Sequence, residues 1–309
     1  MANTLLTPDL IADQALATLY ETTVMANLVH RDYEQAFVSQ VGDTITIRKP
    51  AVFTADEYSR TSGINVQDAT ESGIPVQLNH FADVSFAVTA EQLTLDIQDF
   101  AEQLLDPAME AIAQKIDRDV LTLHNDVTQE TGDTDDSTNG EYLWSDPRSM
   151  IAAGELLDKK NVPPNERRMV VGPTTASRWI ADPLFHEADT SGSTEGLREA
   201  NLGRRTFGFT PYMTQNVGPP PSPPQTGDPT TEVNVAFHRT AFALAVRPLA
   251  LPRGAQNAAI ANYQGFGLRV IYDYDMDTKQ DVVSIDCLYG TKTLDANRAV
   301  LVKGTDAAA

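Results

Sequence analysis

GDTITIRKP (Gly42–Pro50), a polar stretch of over thirty residues, DVSFAV (Asp83–Val88) and the helical pattern that continues to Val127 decide how this chain folds. Thr44, Thr46 and Arg48 alternate with Ile45 and Ile47, the period of two of a half-buried strand. DVSFAV reads as the strand that returns to it. Between them lie Gly63, Gly73 and the charged residues Asp56, Glu57, Arg60, Asp68 and Glu71, with few large apolar side chains. Such a segment has no core of its own, so it is expected to project as a long loop or two-stranded arm that needs another molecule to pack against.

Working outward, apolar residues from Ile97 recur at Phe100, Leu104, Ala108, Ile112, Ile116, Val120 and Leu123, with Asp99, Glu102, Glu110, Lys115, Arg118 and Asp119 between them. Steps of three and four predict one long amphipathic helix. Two start signals compete. Thr89 with Gln92 forms a capping-box pattern, and Asp106 with Pro107 matches an N-cap followed by proline in the first turn. A break or kink is expected at Pro107, which removes a backbone donor and collides with the preceding turn.

The chain has 309 residues, 41% of them hydrophobic, enough for one large or two moderate domains. Forty-three Asp and Glu against 23 Lys and Arg give a formal charge of -20 and argue against a broad basic face for the phosphate backbone of nucleic acid. The same excess suits either a surface that does not hold a polyanion or simple solubility. Cys287, within DVVSIDCLYG, is the single cysteine and reads as a structural thiol in a buried strand. No signal peptide or membrane-spanning run is visible, which predicts synthesis and assembly in the cytoplasm.

TQETGDTDDSTNGE (128–141) reads as a surface loop, and VGPPPSPPQTGDPTTE (Val217–Glu232), with six prolines, as a stiff exposed excursion rather than a ligand for a proline-recognising domain. Shortening Gly218–Pro229 is expected to leave stability nearly unchanged. Between these loops MIAAGELLDKKNVP predicts a helix, RRMVVGP a strand and TASRWIADPLF a further helix.

Chemistry-bearing constellations are poor. His30, His80, His124, His186 and His238 are scattered without metal-ligand spacing. GSTEG (192–196) has the glycine frame of a nucleophile elbow but no strand before it; QGFGLRV (264–270) lacks the third glycine of a dinucleotide fingerprint, and YGTKT (289–293) lacks the upstream glycine of a P-loop. Asp273, Asp275 and Asp277 imitate the start of a calcium loop, yet Thr278 and Ser284 stand where glycine and glutamate belong, so a hairpin tip is the better reading. Arg48 and Lys49 form either a bridge to acidic neighbours or a solvated strand end. No catalytic, cofactor or metal site is assigned, and the chain is not read as an enzyme; an acidic cytoplasmic hydrolase would need a cleft that the sequence does not show.

The order of parts, from MANTLLTPDLIADQALATLYETTVMANLVHRDYEQAF through VGDTITIRKP and VSFAVTAEQLTLDIQDFAEQLLDPAMEAIAQKIDRDVL to REANLGRRTFGFTPYMTQNV and GLRVIYDYDMDTKQDVVSIDCLYGTKTLDANRAVLV, resembles the major capsid protein of tailed double-stranded DNA phages, the Hong Kong 97 fold. The resemblance implies an α+β chain with an N-terminal arm (1–41), an extended E-loop hairpin (42–88) and a P-domain with the spine helix (89–144). An A-domain (145–255) and C-terminal P-domain strands (256–309) would follow. It implies a virion shell protein that assembles with itself into hexamers and pentamers around double-stranded DNA, without sequence-specific contact and without a membrane. The arm and E-loop would be ordered only across neighbouring subunits. Portal and decoration proteins are implied partners. Because the family-like region begins almost at Met1, a separate scaffolding protein is also expected. An encapsulin-like nanocompartment shell is the nearest alternative. One branch of the family cross-links an E-loop lysine to an asparagine of a neighbour; here Ala51–Val88 contains no lysine, so a non-covalent shell is expected.

Overall fold

The computed structural model describes residues 24–31, 44–89, 104, 106–186, 205–252, 257–263 and 266–308, apart from positions 50, 52, 59, 62, 65, 70, 137 and 278. Most of the expected arm, the Thr89–Gln92 helix start and the GSTEG loop lie outside the described residues.

One antiparallel sheet is organised around its longest strand, β11 (Gln280–Thr293). On one side β11 pairs with β3 (His80–Thr89), from Gln280↔Thr89 to Tyr289↔His80. On the other it pairs first with β10 (Phe266–Asp275), as far as Asp286↔Arg269, and then with β8 (Phe242–Arg247), from Leu288↔Arg247. The outer strand β9 (Asn257–Tyr263) pairs with β10. Alternation sorts the side chains by face. Val283, Ile285, Cys287 and Tyr289 are buried, and so are their β10 counterparts Leu268 and Val270.

This pairing corrects one expectation. DVSFAV is not the return strand of the projecting arm but part of β3, in the core sheet. The strand that returns to β1 (Thr44–Lys49) is β2 (Ser72–Gln77), in register from Thr44↔Gln77 to Lys49↔Ser72. Gly73 and Pro75 make β2 look unlike a strand. In a two-stranded ribbon, however, each strand keeps an open edge, where a proline without an N–H is tolerated. Gly73 also has a steric reason, since a Cβ there would lie 2.4 Å from Thr46 Cγ2.

The second sheet is mixed, in the order β4 (Glu130–Thr131), β12 (Ala299–Val302), β7 (Asn234–His238), β5 (Arg167–Val171), β6 (Thr210–Met213). Both faces are covered, so its central strands are almost continuously apolar rather than alternating. Met169, Val171, Ala236, Val300 and Val302 belong to one core, Val170, Val235, Phe237, Ala299 and Leu301 to the other. The first core lies against α3 (Ser149–Lys159) and α4 (Pro173–Ile180), with Trp179 fully buried. The second is shared with the β11 sheet, α1 (Met25–Leu28) and α2 (Asp106–Leu121). Along α2, Ala108, Ile112, Ile116 and Val120 are buried at the spacing of four read from the sequence. The helix begins at Asp106 with Pro107 in its first turn, where a missing N–H is harmless. Because most of the stretch before Asp106 is undescribed, a kink there is not defined.

TASRWIADPLF forms two helices instead of one: α4 ends at Ile180, and α5 (Pro183–His186) starts after Asp182, whose Oδ1 accepts from Leu184 N–H at 3.0 Å. The loop at 128–141 likewise hides a short element, β4, which runs parallel to β12.

The start of α4 is held from outside. Its own N-cap, Gly172, has no side chain, and Glu232 supplies the acceptors instead: Oε1 from Thr174 N–H at 2.9 Å, Oε2 from Thr175 N–H at 2.9 Å and Thr175 Oγ1 at 2.8 Å. Burial alone raises the Glu232 pKa, but these hydrogen bonds outweigh it and hold the carboxyl below its ordinary value. A depressed folded-state pKa stabilises above the unfolded value and is lost as pH falls through the folded one. Glu232→Gln is therefore expected to cost about 1–2 kcal/mol at pH 7, because the new amide faces donors. The gap to wild type should narrow as pH drops below ~4.5, the ordinary carboxylate range. Thermal melts of both proteins across that range measure it, and a pH-independent gap contradicts the assignment.

Candidate assembly interface

The projecting ribbon is fixed at its base. Ile45, Val76 and Leu78 are buried against Ala245, with Ile47, Leu288 and Leu294 around them. Gln77 and Leu78 cross directly over β11, and a Cβ at Gly290 would lie 2.1 Å from the Gln77 carbonyl oxygen. Glycine permits that crossing. The far part of the ribbon has a different character. Phe53 is 60% exposed, Tyr58 66%, Ile64 79% and Val66 79%. The excursion has internal order, because Gln67 accepts from Thr54 N–H at 3.0 Å and donates to the Thr54 carbonyl at 2.5 Å. Two aromatic and two β-branched side chains are thus presented on a pinned ribbon with little cover from their own chain. Arg48 and Lys49 stand at the end of β1, exposed.

Residues 24–31, expected within a free arm, are instead built into their own subunit. Met25, Ala26, Leu28 and Val29 are buried in the main core. Backbone bonds join His30 to β8, from His30 N–H to the Phe242 carbonyl at 3.0 Å and from Leu244 N–H to the His30 carbonyl at 3.1 Å. Asp117 on α2 closes the arrangement. Its Oδ1 accepts from Met25 N–H at 2.7 Å, and its Oδ2 from Thr214 Oγ1 at 3.1 Å and Asn216 Nδ2 at 2.8 Å.

A second polar cluster, also missed in the sequence, joins α2 to the β11 sheet. Tyr289 donates to Asp119 Oδ2, Lys115 Nζ lies 3.1 Å from the same oxygen, and His80 stacks on Tyr289 with ring centroids 5.3 Å apart. Burial first, and the Asp119 carboxylate second, push the Tyr289 hydroxyl pKa well up, so it remains a donor. These partners lie far apart in sequence, and only the spacing of Lys115 and Asp119 marks a helical ion pair.

The other residues weighed in the sequence serve local structure. His124 Nδ1 lies 2.6 Å from the Leu121 carbonyl, and His238 Nδ1 2.8 Å from Thr240 Oγ1, while His186 ends α5. Asp273 and Asp275 accept from Tyr274 N–H and Asp277 N–H, both at 2.9 Å, at the β10–β11 hairpin tip. Cys287 is buried in β11. Among the described residues, no group of three or more His, Cys, Asp and Glu could hold a metal ion, and no helix is long and apolar enough to cross a membrane.

The proline-rich loop is two structures in one. Pro219, Pro221, Pro223 and Pro224 are exposed. From Gly227 onward the loop holds the C-terminal segment: Gly227 N–H donates to the Ala307 carbonyl at 3.0 Å, Ala307 N–H to the Asp228 carbonyl at 2.8 Å, and Pro229 bridges to Asp306. The expectation that all of Gly218–Pro229 is dispensable therefore holds only for its first part. Deleting Pro219–Pro224 is expected to change stability by less than about 0.5 kcal/mol, whereas extending the deletion through Pro229 should cost about 1–3 kcal/mol. Denaturant titration of the two deletions separates them, and equal midpoints would refute the division.

A pinned ribbon, a helix lying along a core sheet and a mixed α/β unit beside them define a phage capsid fold. Similar paths occur in a chain from Mycobacterium phage Che8 (TM-score 0.66, 21% identity, 90% of each chain covered). They also occur in the capsid of cyanophage P-SCSP1u (TM-score 0.64, 10% identity, 92% of this chain and 89% of that one). The mature capsid of bacteriophage PhiM1 is a further match (TM-score 0.59, 10% identity, 86% and 83%). No protein-family model and no curated protein matches the sequence.

Proposed function

We propose that this chain is the major capsid subunit of a tailed phage or related virus and has no catalytic role. Copies assemble into hexamers and pentamers of an icosahedral shell around double-stranded DNA. The observation that carries the reading is the ribbon tip, whose exposed Phe53, Tyr58, Ile64 and Val66 stand on a base anchored by Ile45 and Val76. In Hong Kong 97 terms the E-loop is then the β1–β2 ribbon, ending at Gln77, and β3, α2 and the β11 sheet form the P-domain. The β5–β6–β7 sheet with α3 and α4 lies in the A-domain, and residues before Val24 form the arm. Many individually weak contacts, repeated over a closed lattice, supply stability. A separate scaffolding protein directs assembly in the host cytoplasm, portal and decoration proteins join the shell, and the excess acidic charge leaves the DNA unattached. Electron microscopy of purified particles tests the reading: DNA-filled closed shells are expected, while empty cages around a cargo enzyme, or small oligomers only, overturn it.

The shell is held without covalent links, since no lysine lies between Ala51 and Val88 and the ribbon's Arg60 is a protonated guanidinium, a poor nucleophile. Boiling mature particles in detergent and reductant should give a single gel band at the 33.7 kDa of the monomer. A ladder that survives reduction contradicts this.

A further inference from the structure

The segment RTFGFT (Arg205–Thr210) makes a two-residue hairpin immediately before β6. Thr206 N–H donates to the Phe209 carbonyl at 2.8 Å and Phe209 N–H to the Thr206 carbonyl at 2.9 Å. Both central residues are left-handed, Phe207 at φ +48 and Gly208 at φ +86. Turns with two positive φ angles favour Asn-Gly or Asp-Gly, and a bulky aromatic in the first position is strained. The other described non-glycine residues with positive φ are Asn161, Glu166 and Lys279, all polar. Phe207 is the apolar one, and the residue is 42% exposed, so part of its apolar surface stays uncovered in the single subunit while its backbone carries the strain.

The turn cannot relax by tilting. Phe209, two residues on, is fully buried in the core under α3, where its Cε2 would meet a Cβ at Gly154 at 3.6 Å. A rigid stem thus holds an aromatic ring outward, the pre-organised form that interface anchors take. The position on the sheet also limits what the ring meets. Among the described residues β6 is an edge strand paired only with β5, and Pro211 within it lacks an N–H. Strand addition is therefore hindered at this edge, and a partner engages it through side chains such as Phe207 and the 49% exposed Met213.

We infer that Phe207 is an anchor residue that seats in a second copy of this chain. The partner follows from the capsid reading, on which this inference rests: in a lattice of identical subunits, an apolar edge on every copy meets another copy. Strain retained for an interface explains why the turn carries Phe instead of Asn.

Full-length wild type, Phe207→Gly and Phe207→Asn, each produced in cells from the complete structural gene cluster containing the chain, test it. Both variants suit the turn while removing the ring. Unassembled subunits of both should melt at or above the wild-type temperature, while their recovery in closed shells on a density gradient falls about 30-fold or more. Phe207→Tyr, which keeps a ring, should restore shells. Variants that assemble like wild type overturn this inference and leave the capsid reading standing. Variants that melt lower overturn it too, because the ring then packs inside its own subunit. If wild type itself forms no shells, both fall.

Discussion

Asp117→Ala is expected to lower the stability of the isolated subunit by about 3–5 kcal/mol, or a melting temperature roughly 10 °C below wild type. The carboxylate is 2% exposed and is the common acceptor for three segments: the backbone at Met25, the hydroxyl of Thr214 and the amide of Asn216. Alanine takes the acceptor from the buried Met25 N–H and Thr214 hydroxyl and from the half-buried Asn216 amide. The cost of an unmet buried donor exceeds the net worth of the bond it made. Loss should appear first at residues 24–31, whose other ties include apolar packing, the His30 bridge to β8 and the Arg168 Nη1 bond to the Asn27 carbonyl at 3.0 Å. Protease cleavage near Met25 should therefore accelerate before the sheets open. A variant that melts within about 2 °C of wild type would show that Asp117 is not the junction described.

What the sequence revealed, and what it hid, follows from the range of each interaction. The α2 stripe of Ala108, Ile112, Ile116 and Val120 and the alternation of Ile45 and Ile47 are local periodicities, and both elements are where they were read. Periodicity does not name a partner, however. DVSFAV was read as a strand, but its pairing with β11, some two hundred residues away, left no local trace. β2 carries no clear local signal, since Gly73 and Pro75 lower strand propensity, whereas a ribbon edge accepts them. In TASRWIADPLF the apolar pattern runs through Asp182–Pro183, the pair at which the structure starts a second helix, with Asp182 Oδ1 accepting from Leu184 N–H. Asp117 and Glu232 were invisible as acceptors, since their donors lie 57 to 99 residues away along the chain. The ribbon tip is the converse case. A lack of core residues predicted that it would project, but which apolar side chains stay exposed depends on the fold.

Replacing residues 50–71 with Asn-Gly is expected to leave a folded subunit that forms no closed shells. Lys49 and Ser72 are cross-strand partners, so a two-residue turn joins the strands in their existing register. The base is untouched, because Ile45, Val76, Leu78 and Ala245 lie below the cut, and melting should stay within a few degrees of wild type. The deletion removes Phe53, Tyr58, Ile64 and Val66, all more than half exposed in the single chain. If Phe53 and Tyr58 each act as an anchor worth about 2 kcal/mol, every intersubunit contact made by the ribbon weakens by about 4 kcal/mol, roughly a thousandfold. On the proposed capsid reading a shell multiplies that loss, since each subunit would both give a ribbon and receive one, and a lattice of weak contacts closes only when nearly all are made. Particles counted by electron microscopy after expression from the full structural gene cluster give the answer. Wild-type numbers of DNA-filled shells from the truncated chain would remove the ribbon from the assembly mechanism. An unfolded product would instead mean that the tip packs on its own subunit, against the exposure that the four side chains show.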